Sequence, residues 1–376
     1  MTVDPVDLAR QLIRIPSVTP DSAGAIAYLS DLLSRHGFVC TRIDRGGVAN
    51  LHARHGTAGP VLGFNGHVDV VPIGDAGAWR HDPFGAEIER GALYGRGACD
   101  MKAAVAAFAA AAIDAAATCP GSLVLTVTGD EEGPGVDGTA AILDWMAQAG
   151  ERMDACIGGE PTCPVEMGEM IKIGRRGSMT AWITARGVQG HSAYPQNARN
   201  PLHGLIAYLS RLTGTVLDTG TAHFDATTLQ VTGIDTGNAA NNVIPATCRA
   251  MVNIRFNDAH TGAGLSEWLR AEAAAAARAH GIAIDLDIRI SGESFVTEPG
   301  PLTDIVRAAV AAETGRDPVL STSGGTSDAR FLKDHCPVVE VGLVNATMHQ
   351  VDERVEVSHI RQLSAIYGRI IRDYFA

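Results

Sequence analysis

Residues 61–69 read Val61-Leu62-Gly63-Phe64-Asn65-Gly66-His67-Val68-Asp69. The apolar run Val61–Phe64 is closed by a glycine and a histidine. A short apolar run bounded by turn residues reads as a buried strand. In α/β sheets ligand sites form beyond the C-terminal ends of such strands, and His67 falls at that end. Residues two apart on an extended chain share a face. Asp69 is therefore placed to contact the second ring nitrogen of His67 and fix its tautomer.

The same grammar recurs along the chain. Leu123–Val127 runs into Thr128-Gly129-Asp130-Glu131-Glu132-Gly133, and Cys156–Ile157 into Gly158-Gly159-Glu160. Val338–Val344 runs into Asn345-Ala346-Thr347-Met348-His349. Gly95-Arg96-Gly97-Ala98-Cys99-Asp100 leads into the alanine-rich stretch Met101–Ala117, which reads as a helix. Each residue has an ordinary explanation alone: Asp100 as a helix cap, the acidic triplet as a solvated turn. Three like charges at a buried strand end, however, repel one another unless a cation is present. Unrelated structural roles would not place an acid or a histidine at one strand end after another.

His67, Asp100, Glu160, His349 and one of the pair Glu131 and Glu132 give two nitrogens and three carboxylates. That set suits a borderline cation such as Zn²⁺, with Co²⁺ or Mn²⁺ able to substitute. Asp100 has two oxygens with which to bridge two cations. The remaining glutamate is then free to act as a general base. A dinucleotide-binding loop fails at residues 95–100, because the third glycine of its pattern would fall on Asp100.

Strands alternating with helices imply an α/β fold with a mostly parallel sheet between helices. From about Gly177 to Ser291 the texture changes. Met179–Ala185 and Thr247–Phe256 alternate as half-exposed strands do, while Pro201–Leu212 and Gly264–His280 look helical. The α/β texture resumes after Pro299-Gly300-Pro301. The expected organisation is a catalytic domain over 1–176 and 294–376, interrupted by an inserted α+β domain over 177–293. Asp4-Pro5 reads as the cap and first position of the opening helix.

Composition narrows the function. A net charge of −12 argues against a nucleic-acid binder, which would show a basic face. The longest apolar run, Ala103–Ile113, is too short to cross a bilayer and reads as a core helix. The first residues lack the features of a secretory signal. Seven scattered cysteines without a Cys-x-x-Cys pair argue against a disulfide framework and for a reducing cytoplasm. No serine lies in a Gly-x-Ser-x-Gly frame, and neither His-Glu-x-x-His nor Gly-Lys occurs. Serine hydrolases, common zincins and Walker-type sites are thereby disfavoured.

Nearly end to end, the chain resembles the co-catalytic zinc aminoacylase and carboxypeptidase family. The resemblance is carried by GHVDVVP at 66–72, LYGRGACDMK at 93–102, TGDEEGP at 128–134, GGEPT at 158–162 and ATMHQVDE at 346–353. GVQGHSAYP at 187–195, NPLH at 200–203 and NNVIP at 241–245 extend it. GRRGS at 174–178 and SGGTSDARF at 323–331 point to one branch, acting on small anionic acyl-amino acids.

The resemblance implies a zinc-exopeptidase-like catalytic domain with an inserted two-layer sandwich that forms a homodimer. It implies two Zn²⁺ per subunit: His67 and Glu160 on one, Glu132 and His349 on the other, Asp100 bridging. Glu131 would be the general base and Asp69 the residue orienting His67, with a cis peptide after Asp100. It further implies that His191 helps stabilise the oxyanion in a partner subunit's active site. Arg175, Ser178, Asn241, Arg255, Thr326 and Asn345 match the motifs for substrate contacts, where arginine forks suit carboxylates.

Within the family, an acetylornithine deacetylase or an aminoacylase or carboxypeptidase is the rival reading. Outside it stands a non-catalytic metal-binding protein. Structural zinc sites are closed and usually cysteine-rich, so a carboxylate-rich set with a free glutamate beside it favours catalysis.

Overall fold

In the computed structural model, which describes residues 2–376, Val61–His67 is an inner strand of an eight-stranded sheet. From one edge the order is Val39–Arg45, Val48–His55, Ser122–Thr128, Val61–His67, Ala155–Gly158, Val338–Glu340, Met170–Lys172 and Val319–Ser321. The four strands from Ser122–Thr128 to Val338–Glu340 are parallel, whereas the first two strands pair antiparallel. These four strands are buried along their whole length. That is why they read as continuous apolar runs rather than as alternation.

Parallel register is what positions the site. His67 lies opposite Thr128, and Asn65 opposite Gly158. Gly158 in turn lies opposite Glu340. The acidic loop after Thr128, Glu160 and the segment leading to His349 therefore all leave the sheet at the end where His67 leaves it.

The alanine run forms the helix Lys102–Ala116, in which every residue from Lys102 to Ile113 is buried. It packs against the helices Pro5–Ile13 and Val357–Tyr374 and against the sheet. Methyl side chains let these neighbours approach closely enough to leave no solvated face. Phe108 of this helix stacks on Phe64 at 4.2 Å between ring centroids, and Tyr367 closes the group edge-on. Such aromatic pairs contribute about 0.5–1.5 kcal/mol beyond the area they bury. The Tyr367 hydroxyl donates to the Val341 carbonyl at 2.7 Å, fixing the helix to the strand that leads to His349. Asp4 caps the opening helix as the sequence implied, accepting from Val6 and Asp7 amides.

The chain separates into two compact units. One comprises the chain up to Ile173 with Thr297–Ser321 and Ser327–Ala376; the other comprises Gly174–Val296 with Thr322–Thr326. The second unit has its own four-stranded antiparallel sheet, ordered Thr228–Asp235, Thr247–Phe256, Gly177–Arg186 and Ala283–Gly292. Met179, Ala181 and Ile183 on one strand and Val252 and Ile254 on its neighbour share a core with Leu205, Tyr208, Leu265 and Leu269. Those last four come from the helices Pro201–Gly214 and Gly262–His280. This is a two-layer sandwich. All seven cysteines are free thiols, five of them buried. Among the described residues no helix is long and apolar enough to cross a membrane.

One buried group makes the first unit sensitive to acid. His52 is 2% exposed, lies against Trp145 at 4.9 Å, and its Nε2 has no hydrogen-bond partner among the described residues. Burial pushes its imidazole down to about 4, against roughly 6.5 in an unfolded chain. Between those values the unfolded chain binds the proton and the folded chain does not, so stability falls as pH drops through that window. His52→Phe keeps the ring contact and should flatten the decline of thermal midpoint between about pH 6.5 and 4, read by calorimetry of both proteins.

Candidate metal centre

His67 ends its strand with the ring fully enclosed. Its Nδ1 lies 2.9 Å from the main-chain carbonyl of Asp69, and the Asp69 carboxylate stands off at 3.6 Å. The carbonyl fixes the tautomer, leaving Nε2 to face Asp100 Oδ1 at 3.2 Å and Glu160 Oε1 at 3.8 Å. The Asp69 carboxylate does different work from the one its spacing suggested. It accepts the amides of Glu131 at 3.2 Å and Glu132 at 3.0 Å, tying the acidic loop to the loop after His67.

The other oxygen of Asp100 faces His349 Nε2 at 3.1 Å, and Glu132 Oε1 lies 2.9 Å from the same nitrogen. Two groups result, sharing Asp100: His67, Asp100 and Glu160, and Asp100, Glu132 and His349, each with its ligand atoms within 4.8 Å of one another. Of the acidic triplet, Glu132 turns to the centre. Asp130 instead accepts the amides of Val136 and Asp137, both at 3.1 Å, and folds the loop. The peptide between Asp100 and Met101 is cis.

The electrostatics fit divalent cations. Hydrogen bonds to Asp100 and Glu132 raise the His349 imidazole to about 10. Burial works against the charge of Asp100, but the bonds from His349 and His67 outweigh it and hold its carboxyl well below the usual range. A raised imidazole beside a lowered carboxyl marks a place that calls for positive charge, which a metal ion would supply. Glu131 is half-buried and belongs to neither group. Burial and then the Glu160 charge push its carboxyl well above the ordinary range, and nearby cations would draw it back. A carboxyl poised between these influences is what a proton carrier needs.

The remaining candidates lie elsewhere. In the second unit, Ser178 is register partner to Arg255, whose Nη1 lies 3.5 Å from Thr326 Oγ1. Arg175 is buried there and donates to the Gly325 carbonyl at 3.1 Å. Burial and the Arg176 guanidinium make the Arg255 cation harder to hold. Asn241 and His191 sit on a separate part of that unit, where Gly190–His191 pairs with Val243–Ile244. His191 is exposed, and its Nδ1 accepts the Ala193 amide at 3.0 Å. Asn345 lies in the first unit, its amide donating to the Cys163 carbonyl at 2.8 Å.

Sequence reasoning missed Lys102, Glu353 and Arg96, all three buried and charged. Lys102 donates to the Ile15 carbonyl at 2.7 Å, and burial pushes its ammonium down to about 7. All three lie inside motifs already singled out. Their signal was the presence of charge in segments otherwise destined for the interior.

The chain belongs to peptidase family M20/M25/M40, whose model matches residues 63–373. As a member of a peptidase family it is a hydrolase of amide bonds. It is 62% identical over 380 residues to the succinyl-diaminopimelate desuccinylase of Ruegeria pomeroyi, covering all of both chains. Among solved structures it resembles an M20 family metallo-carboxypeptidase from Sulfolobus solfataricus, with TM-score 0.81 and 16% identity over 99% of each chain. It also resembles a protein from Bacillus subtilis described as a dinuclear metal-binding peptidase of the M20 family, with TM-score 0.73 and 15% identity. That alignment covers 98% of this chain and 96% of the other.

Gly342 marks a tight main-chain approach beside Glu160. A Cβ there would lie 2.1 Å from the Glu160 carbonyl oxygen and 2.7 Å from that of Gly159. Gly342→Ala should displace Glu160 and weaken ion binding by the His67 group about tenfold or more, measured as bound metal against free metal in equilibrium dialysis.

Proposed function

We propose that this chain hydrolyses the amide bond of N-succinyl-LL-2,6-diaminopimelate, releasing succinate and LL-2,6-diaminopimelate for lysine and diaminopimelate biosynthesis. The observation that carries the reading is full-length identity of 62% to a curated desuccinylase, joined to two ligand groups that share Asp100. His67 and Glu160 would hold one Zn²⁺ and Glu132 and His349 the other, with Asp100 between them; Co²⁺ or Mn²⁺ suits the same donors. When bound, such a pair acidifies water and polarises an amide carbonyl.

The protein's own residues do the rest. Glu131 takes a proton from the attacking water and returns it to the departing amine. Asp69 holds the Glu131 and Glu132 amides, so base and ligand keep a fixed separation. Arg175 and Arg255, beside Ser178 and Thr326, are suited to the carboxylates of the substrate, a task for guanidinium forks; Asn241 and Asn345 as substrate contacts rest on the family resemblance. His191 completes the reading as an oxyanion donor to a partner subunit, with the second unit as the dimer contact. Dimerisation and the role of His191 rest on the family resemblance, and a cytoplasmic location on seven scattered cysteines without a Cys-x-x-Cys pair.

Glu131→Gln should retain both ions and lose about 10²–10⁴-fold in kcat. Near-normal turnover would remove Glu131 as the proton carrier. Arg175→Ala should raise KM for the succinylated substrate, and an unchanged KM would take it out of the pocket. On the Zn²⁺-loaded protein, a panel of succinyl-diaminopimelate, acetylornithine and acyl-glutamates should give the highest kcat/KM for the first. Preference for either of the others would transfer the function to a deacetylase or aminoacylase, and bound metal with no activity to a binding protein.

A further inference from the structure

Behind the metal centre lies a buried ion pair that the proposed reaction does not use. Glu353 is fully buried and Arg96 is 2% exposed. Glu353 Oε1 accepts the amides of Cys99 at 2.9 Å and Asp100 at 3.2 Å. Its Oε2 accepts from Arg96 Nη1 at 2.7 Å. The same Nη1 reaches the Gln350 carbonyl at 3.2 Å, and Nη2 reaches the Pro72 carbonyl at 3.3 Å. The guanidinium also lies over the Trp79 ring at 5.2 Å.

These contacts join three segments, each carrying a ligand. Pro72 follows His67 on the loop leaving its strand, Glu353 grips the amide of Asp100 itself, and Gln350 adjoins His349. His349 has φ +62°, a left-handed conformation that a residue with a side chain holds only when its surroundings impose it. The bond from Arg96 to the next carbonyl helps to impose it.

Burying two charges is a poor way to gain stability. The desolvation cost is large, and well-packed apolar residues of similar size often do as well or better. A buried carboxylate that ends on the main chain of a ligand, and not on packing neighbours, is arranged for placement. We propose that Glu353, held by Arg96, is a positioning residue that sets Asp100 between the two ion-binding groups and keeps His349 in register with it. The inference rests on the two-metal reading above.

Three variants separate placement from mere packing. Glu353→Gln preserves shape but sets an amide NH₂ against the guanidinium; Glu353→Ala removes the grip on Asp100 altogether. Arg96→Lys keeps a charge yet loses the fork that reaches Gln350 and Pro72. Each would be titrated with Co²⁺, following the visible absorption of the bound ion, ions bound per chain and thermal midpoint.

Glu353→Gln should bind Co²⁺ about 10–100-fold more weakly, with an altered spectrum, and lose kcat by a similar factor while KM stays within about twofold. Arg96→Lys should weaken one ion more than the other, because its reach to the His349 segment is lost while Glu353 still holds Asp100. If Glu353→Ala does not fold, Glu353→Gln and Arg96→Lys carry the test. Variants with a lower midpoint but wild-type Co²⁺ affinity and spectrum would overturn the proposal alone. Wild-type protein that fails to bind two Co²⁺ would overturn the two-metal reading and this proposal with it.

Discussion

Carboxylates brought together in a protein interior repel one another, and this chain assembles two glutamates and two imidazoles around one shared aspartate. The arrangement is tolerable only with compensating positive charge, whether protons on His67 and His349 or divalent ions. Everything else in the first unit can be understood as the means of enforcing that crowding. Parallel pairing aligns the strand ends, and a helix buried from Lys102 to Ile113 backs them. Buried side chains that end on main-chain groups, the carboxylates of Asp69, Asp130 and Glu353 and the guanidinium of Arg96, hold the connecting loops. The fold spends its rigidity where electrostatics would otherwise drive the groups apart.

Much of this was legible in the residues themselves. A strand buried on both faces leaves a continuous apolar run, so Val61–Phe64 and Leu123–Val127 announced themselves, and the residue closing each run announced the site. The alanine helix was equally plain, because eleven apolar residues in a row, eight of them alanine, have no use at a surface. The strands Thr228–Asp235 and Ala283–Gly292 were not singled out. Both are edge strands with exposed residues at every other position or more, and short polar alternation resembles a loop.

Side-chain assignments were harder than elements. Spacing placed Asp69 near His67, which is so, but a carbonyl and a carboxylate on one residue compete for the same nitrogen. Here the carbonyl takes it and the carboxylate goes to the loop. Glu353 and Arg96 escaped notice for the opposite reason. Charged residues are usually solvated, and a pair separated by most of the chain leaves no local trace of its partnership. Only three-dimensional proximity shows that the two halves of the first unit, before and after the second, are fastened to each other.

The order of the ligands along the chain bears on how the protein is made. His67, Asp100, Glu132 and Glu160 are all synthesised before any of the second unit, whereas His349 follows it. The ribosome therefore delivers four-fifths of the centre long before the last imidazole. The strand Val338–Glu340, which pairs beside Ala155–Gly158, and the helix carrying Tyr367, which closes on Phe64 and Phe108, arrive in that same last stretch. The candidate centre is thus completed only once the chain has returned from its excursion through the second unit.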